Sequence, residues 1–341
     1  MVRSAREYVT EELGEGDRFV GVFEGEEFTG RTGETLGAEH DLLTEVRHRV
    51  DVPAWRVSLP GGRVAGSEPL VLTRDGRALL ESAFDESHLR ANPLMEERLP
   101  RARHFRGRLL VLTGPWWGSW FHWVLDLLPR AALLPLDEGD DDVLVPAPLS
   151  RAQEESLDLA GVPAERRREH SGGQIRADEL VFPSISHTGN PPRWALRWLR
   201  EQLAPSPERR NRRIYVSRAD AETRRVVNEP ELEALLRERG FEKVIAGELG
   251  LREQLRAFAE AEVVLGPHGA GLANLFAATD ATVIELHRDD ENVRRNYFNQ
   301  ANSQLLDYWY LLCAPAGQAD MRVDIGLLER TLDAALDQPS G

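Results

Sequence analysis

The sequence predicts a two-domain α/β protein, with a parallel sheet interleaved with helices legible in its second half. Three observations carry this reading. The chain has 341 residues, more than one core accommodates, because single cores stop growing near ~250–300 residues. A hydrophobic fraction of 41%, with 8 Trp, 11 Phe and 5 Tyr, supplies apolar volume for real cores and excludes a disordered or low-complexity chain. From Ile214 onward, short apolar β-prone runs alternate with amphipathic helical patterns, which is how β-α units read in sequence.

Along the chain, the first fifty residues are acidic and weakly periodic, with a strand fragment around Arg18 to Phe23. Trp55 to Phe84 reads as a small β region, in which VLTRDGRALLES turns on Asp75-Gly76 as a hairpin. RLLVLTG (Arg108 to Gly114) reads as a buried strand, followed by a Trp-rich helical segment that puts Trp123, Leu127 and Ala131 on one side. His122 and Asp126 are four residues apart, so they share a helix face. An acidic break at Asp137 to Asp142, a strand at VLVPAP, a helix from Ala152 to Gly161 and a strand ELVFP complete this part. A turn over 188–192, a helix from Trp194 to Leu203 and the Pro-rich, charged stretch APSPERRNRR follow, and the domain boundary is expected there. The expected division is 1–204, 205–315 and a C-terminal helical piece, 316–341.

The second half is plainer. IYVS is a strand, and Asn228-Glu229-Pro230-Glu231 opens a helix, with Asn228 as cap and an early proline, that stops at Gly240. Strands at Lys243 to Ala246, Glu262 to Leu265 and Thr282 to Leu286 alternate with helices at Leu251 to Glu260 and Ala270 to Ala278. Such a series predicts a parallel sheet with right-handed crossovers.

Charge limits the partners. With 42 basic against 57 acidic residues the net charge is −15, which repels a phosphate backbone and argues against nucleic-acid binding. Lys243 is the only lysine, the rest of the basic set being arginine; this suits a cytosolic protein in concentrated salt, a high-GC genome being the alternative source. One cysteine, Cys313, permits no internal disulfide and no cysteine-based zinc site. The start lacks an apolar signal region, so a cytoplasmic location is expected. Leu109 to Leu136 is interrupted by His122, Asp126, Pro129 and Arg130 and reads as buried rather than membrane-spanning.

Ligands of open parallel sheets bind beyond the carboxyl ends of the strands. The residues there are Ser217-Arg218, Gly247-Glu248, the turn Gly266-Pro267-His268-Gly269-Ala270-Gly271, and Glu285 to His287. A strand running through glycines into a helix start offers free N–H groups to an anion, the alternative being a plain tight turn. Arg218 adds a fork suited to a diphosphate, and Arg224 and Arg225 are further candidates or plain surface arginines. Glu285 suits sugar hydroxyls or an arginine partner, and His268 a phosphate, the transferred group or a backbone carbonyl. His122 with Asp126 serves as a general base or as a buried polar brace. No metal site is assigned, because the Asp140-x-Asp142 pair lies in an acidic run before a strand. There is no G-x-S-x-G, no P-loop motif and no G-x-G-x-x-G order, which removes ordinary α/β-hydrolases, P-loop NTPases and NAD enzymes.

Read together, RIYVSRADAETRRVVNEPELEALLRERGFEKV and REQLRAFAEAEVVLGPHGAGLANLFAATDATVIEL resemble the catalytic region of glycosyltransferase family 61, over about 75 residues. WFHWVLDLLPR is similar to that family's N-terminal H-x-x-x-D/E segment before an LP pair. The resemblance implies a GT-B arrangement, two Rossmann-like domains facing a cleft, with the C-terminal helix crossing back to the first domain. It implies an inverting, metal-independent enzyme moving a hexosyl or pentosyl group from a nucleotide-sugar donor, UDP-linked by expectation, to a glycan or lipid-linked glycan of a surface polysaccharide or glycoconjugate, with peripheral membrane contact. No cofactor is implied, the nucleotide sugar being a co-substrate. By motif position Arg218 is similar to the pyrophosphate-contacting arginine, His268-Gly269-Ala270 with Gly271 to the donor-binding turn, and Glu285 to the acid ending the last strand. Ser217, Arg224, Asn228-Glu229 and Asn274 fall in the same motif run, and Asp126 or His122 stands as the base. Two other readings remain: a nucleotide-sugar 2-epimerase-like enzyme, and a non-catalytic nucleotide-sugar or glycan-binding partner.

Overall fold

The structure, a computed structural model, describes residues 2–14, 18–45, 48–95, 100–184, 189–290 and 293–337. Thr188, the start of the turn expected over 188–192, lies outside them. The chain divides into two compact units, Met1–Glu26 with Asp51–Thr188, and Glu27–Val50 with Gly189–Gly341. The break at 188/189 precedes the Pro-rich stretch, because the Arg193–Leu203 helix is built into the second unit: its Arg200 donates through Nε to the Phe276 carbonyl at 3.1 Å.

The first unit holds one mixed sheet. Its long strand Gln174–Pro183 pairs antiparallel with Arg63–Ala65 and Ala54–Pro60, and parallel with Arg103–Val111. Beyond Arg103–Val111 come Asp142–Pro146 and Arg167–His170, both parallel. The expected hairpin is present, with Leu70–Leu72 opposite Ala78–Leu79. Buried Leu59, Val64, Val111, Leu144, Leu180 and Phe182 fill one core on this sheet. Both Val111 and Phe182 sit in strands flanked by others, which is why their runs read as continuous rather than alternating apolar text.

In the second unit the order is Phe241–Ile245, Arg212–Ser217, Ala261–Pro267, Thr282–Arg288, Asp307–Ala316, all parallel, with Asp320–Arg322 antiparallel at the end. The chain goes from Arg212–Ser217 to one neighbour and then jumps to the other side, so the winding reverses between Arg212–Ser217 and Ala261–Pro267. That reversal leaves a crevice at the carboxyl ends of those two strands, where open α/β sheets take ligands. The fifth parallel strand and the Asn296–Gln304 helix before it were unassigned in the sequence, and so was the role of Glu27–Val50. This segment joins the second unit: Glu34 N–H donates to the Tyr308 carbonyl and Tyr310 N–H to the Glu34 carbonyl, each at 2.9 Å. An isolated bridge of that kind leaves no periodicity for a sequence reader to find.

Three expectations are corrected. Asn228 precedes the Glu229–Glu238 helix but makes no side-chain cap bond; its amide instead pairs with the backbone of Val323, accepting from the N–H and donating to the carbonyl at 3.0 Å each. The stretch after the glycine turn, Ala270–Ala277, is a 3-10 helix rather than an α-helix. The C-terminal helix Ile325–Leu336 spends its apolar stripe, Leu328, Leu332 and Ala335, in the second unit's own core with Leu232 and Leu236, where a return to the first domain was expected. Asp324 caps it, accepting from Leu327 N–H at 2.9 Å. Among the described residues no helix is long and apolar enough to cross a membrane.

Candidate active site

At the carboxyl end of Arg212–Ser217, Arg218 is fixed by the loop that follows it. Its Nε and Nη2 donate to the Thr223 carbonyl at 3.1 and 3.0 Å. That leaves Nη1 over Gly269, where an added Cβ would lie 2.7 Å from the guanidinium carbon. Gly269 has φ 170, ordinary extended backbone, so the glycine is required for space and not for conformation. Gly271 and Gly266 are needed the same way, since a Cβ would come within 2.9 Å of Val216 Cγ1 and of the Val216 carbonyl respectively. Three glycines therefore let the turn lie flat against the Arg212–Ser217 strand end, and the text GPHGAG is a packing requirement as well as an anion motif.

Arg224 approaches from the same loop. Its φ of 58 is a left-handed value that a long side chain rarely adopts, held by its N–H donating to the Ala319 carbonyl at 2.9 Å. No side chain hydrogen-bonds or ion-pairs with its guanidinium among the described residues. Burial first, and the neighbouring Arg224 charge second, push the Arg218 pKa down. Two guanidinium groups this close raise each other's energy until an anion arrives. Arg225 differs: both Nε and Nη2 reach Asp320, at 3.2 and 2.9 Å, so it is a neutralised surface pair.

Beside these groups is a cavity of about 340 Å³ lined by Thr223, Arg224, His268, His287, Arg288 and Arg294 among others. His268 is held from behind, its Nδ1 2.5 Å from Glu285 Oε1. Tyr308 donates its hydroxyl to Glu285 Oε2 at 2.6 Å, and His287 Nε2 lies 3.1 Å from that hydroxyl. Burial pushes the His268 pKa down, so the ring is neutral near pH 7 and donates Nδ1–H to the carboxylate, which puts its lone pair on Nε2. Burial would raise Glu285, but His287, His268 and their hydrogen bonds outweigh it and hold the carboxyl well below its usual range. Glu285 is fully buried and spent on these donors, so it orients His268 instead of meeting sugar hydroxyls. His268, Glu285 and His287 also offer ligand atoms within 4.8 Å of one another, a set able to hold a cation, where the sequence suggested no metal.

Ser217 and Glu229 form a strut. Ser217 Oγ donates to Glu229 Oε1 at 2.6 Å and accepts from Ala219 N–H at 3.1 Å, so it bends the chain at Arg218. Tyr215 donates to the same Glu229 oxygen at 2.8 Å, and Lys243, the sole lysine, to the other at 3.2 Å. Asn274 is buried and donates to Gln254 Oε1 at 3.0 Å, bracing the Leu251–Ala259 helix. Ala270 and Gly271 are half-buried at the start of the 3-10 stretch. The structure thus brings together Arg218, Arg224, His268 and Gly269, and sets Ser217, Glu229, Asn274 and Glu285 behind them as supports.

In the first unit, His122 and Asp126 follow the Arg103–Val111 strand on a single α turn that widens into a π-helical turn, Trp123–Leu127, a distortion frequent at functional sites. His122 Nδ1 is 2.7 Å from Asp126 Oδ2. The side chain of Asp126 is 1% exposed and that of His122 18%, so the imidazole is the member of the pair that solvent or substrate can reach. Arg130, buried behind it, donates to the carbonyls of Thr113 and Pro183 at 2.9 and 3.0 Å. Its pKa falls to about 9 through burial, with the Asp126 charge acting to raise it. Gly114 makes room for it, since a Cβ there would be 3.1 Å from Arg130 Nη1.

Residues 120–284 match the model of the family described as Glycosyltransferase 61, a span running from the His122–Asp126 turn through Arg218 and the glycine turn. Over this span, a little under half of the chain, the sequence is similar to glycosyltransferase family 61. A search of curated proteins finds no match. The match supports glycosyltransferase activity, for which the family implies a sugar donor and a glycan acceptor. Sequence reasoning placed His287 at the strand's carboxyl edge without a role, and it missed Tyr308, which holds Glu285 from a strand that carried no assignment.

Proposed function

We propose that this chain is an inverting glycosyltransferase that takes its sugar from a nucleoside diphosphate sugar, UDP-linked by preference, and delivers it to a hydroxyl of a glycan or lipid-linked glycan in surface-polysaccharide or glycoconjugate synthesis. The observation that carries the reading is the pair of close guanidiniums, Arg218 over Gly269 and the unpaired Arg224, at the strand ends where the sheet's winding reverses. A diphosphate would relieve their mutual repulsion and receive bidentate hydrogen bonds. As the anomeric carbon–oxygen bond breaks, its electron pair passes to the diphosphate, so positive charge fixed there stabilises the transition state more than the ground state. Arginine supplies that charge without a metal. Neutral His268 leaves the anion to the two arginines and offers Nε2 to a donor hydroxyl.

The acceptor oxygen attacks from the face opposite the leaving group and must lose its proton. His122 Nε2 takes it, with Asp126 holding Nδ1–H and stabilising the imidazolium that forms. The lower exposure of Asp126 supports this assignment over direct proton abstraction by the carboxylate. The experiment is a thermal-shift series with UDP, GDP, CMP and their sugar derivatives, on the protein and on Arg218→Ala. The expected result is stabilisation by one nucleotide class that the variant loses. A folded protein stabilised by none of them would remove the nucleotide-sugar reading.

A further inference from the structure

Around His122 the first unit assembles an aromatic surface that the transfer chemistry leaves unused. Trp116 is 37% exposed, high for a side chain with so much apolar area. Its φ of 56 lies in the left-handed region, which a bulky residue keeps only when its surroundings hold it there. They do. The Glu68 carboxylate accepts Trp116 N–H at 2.6 Å, Trp117 Nε1 donates to the Ser67 carbonyl at 3.3 Å, and Gln153 Nε2 donates to the Trp117 carbonyl at 2.7 Å. The turn is pre-organised so that this indole stands out.

The rings around it leave part of it bare. Phe84 stacks on Trp116 with centroids 4.6 Å apart, His122 lies at 4.7 Å, and His88 meets it edge-on at 4.6 Å. Phe84 is itself only 5.5 Å from His122 and 5.9 Å from His88. Rings on opposite faces of the indole would be separated by nearly twice their distance to it, so Phe84 sandwiches Trp116 with neither of them. The rim is polar: His88 Nδ1 pairs with Asp85 at 2.8 Å, and Glu68 stands at the turn.

We propose that Trp116, backed by Phe84, is the platform on which a pyranose ring of the acceptor stacks. A sugar ring has an apolar C–H face and hydroxyls at its edge, which matches a bare indole with a polar rim. An alkyl chain would want apolar walls instead. With His122 one ring-width away, a sugar on this platform has an edge hydroxyl within reach of the group assigned to take the proton. What the ring belongs to rests on the transferase reading; the platform itself does not depend on the donor site.

The test is a titration of intrinsic tryptophan emission with chitotetraose and maltotetraose, and separately with octyl-chain detergent below micelle formation, on the protein and on Trp116→Ala and Trp116→Phe. The expected result is saturable binding of a tetrasaccharide, weakened at least fivefold in Trp116→Ala, with Trp116→Phe between the two. Circular dichroism and an unchanged donor-induced thermal shift certify the variants as folded. Equal saccharide affinity in the protein and Trp116→Ala, no saccharide binding at all, or a response to the alkyl chain alone each overturns the platform. Because no turnover is needed, a failed donor assay with a positive titration sinks the proposed donor and keeps the platform, and the reverse pattern does the opposite.

Discussion

The Arg218 guanidinium occupies the space that any side chain at position 269 would fill. Gly269 therefore acts through Arg218, and Gly269→Ala is expected to fold, because its φ of 170 is ordinary extended backbone, while displacing the guanidinium. Hydrogen bonds to charged groups contribute about 1.5–3 kcal/mol, so donor affinity should fall roughly 10- to 100-fold, as Arg218→Ala would do. Calorimetric titration with the nucleotide identified by thermal shift checks this. Wild-type affinity in Gly269→Ala would mean that Arg218 has no part in donor binding.

Two adjacent arginines should behave differently. Arg224→Ala removes an unpaired cation from the cavity wall and is expected to weaken donor binding by about tenfold or more. Arg225→Ala removes an exposed ion pair with Asp320, for which surface pairs give roughly 0–1 kcal/mol of stability, and should leave donor affinity alone. Equal losses from both would point to a diffuse electrostatic effect in place of a site.

His122 and Asp126 separate by role. His122→Ala should lower kcat by about 10²–10⁴, the range for loss of a general base, with the donor-induced thermal shift retained. Asp126→Asn keeps the shape but leaves the imidazole in the wrong tautomer and should also cut kcat heavily. Stopped-flow or discontinuous product assays at saturating donor read both. A His122→Ala enzyme with normal kcat would transfer the base role elsewhere.

Acid should destabilise the second unit in two stages. His268 is pushed below its ordinary 6.5, mainly by burial against the charge of protonation. As pH falls through that unfolded value the unfolded chain takes a proton that the folded chain refuses, so stability drops. Glu285 and Glu229 sit below their ordinary 4.5. In Glu229 burial raises the value, but the hydrogen bonds of Ser217, Tyr215 and Lys243 prevail. Their contribution is complete above 4.5 and is lost as pH falls through the lower folded values. Urea denaturation from pH 8 to 3 should show both stages, and His268→Gln should flatten the upper one.

Glu229→Gln keeps the shape of the strut but not its charge. Ser217, Tyr215 and Lys243 lose a charged acceptor, so a stability loss of about 1–3 kcal/mol is expected at pH 7, shrinking below pH 4.5, where the unfolded wild-type chain takes up a proton that the folded carboxylate resists. Donor affinity should decline less than in Arg218→Ala, since Glu229 acts only through the Ser217 bend. A loss of stability equal at pH 7 and pH 3 would assign the strut to packing.

Sequence by itself determined the β-α series from Ile214 to Leu286, the glycine turn, Arg218 and the His122–Asp126 spacing, because each is local: strand and helix periodicities, turn residues and i,i+4 neighbours repeat within a few residues. The family resemblance rested on the same stretches. Tertiary structure alone decided the rest. Glu285 looked like a sugar ligand because it ends a strand, yet Tyr308, from an unassigned strand, and His268 consume it. Asn228 looked like a cap and instead completes a backbone pair with Val323, 95 residues away. Arg224 and Arg225 are indistinguishable in sequence, and only Asp320 separates a neutralised arginine from an unpaired one. Glu27–Val50 joins the second unit through partners near residues 300 to 310. In each case the deciding partner is distant in the chain, and the energy of a buried polar group depends on who its partner is, which no local pattern records.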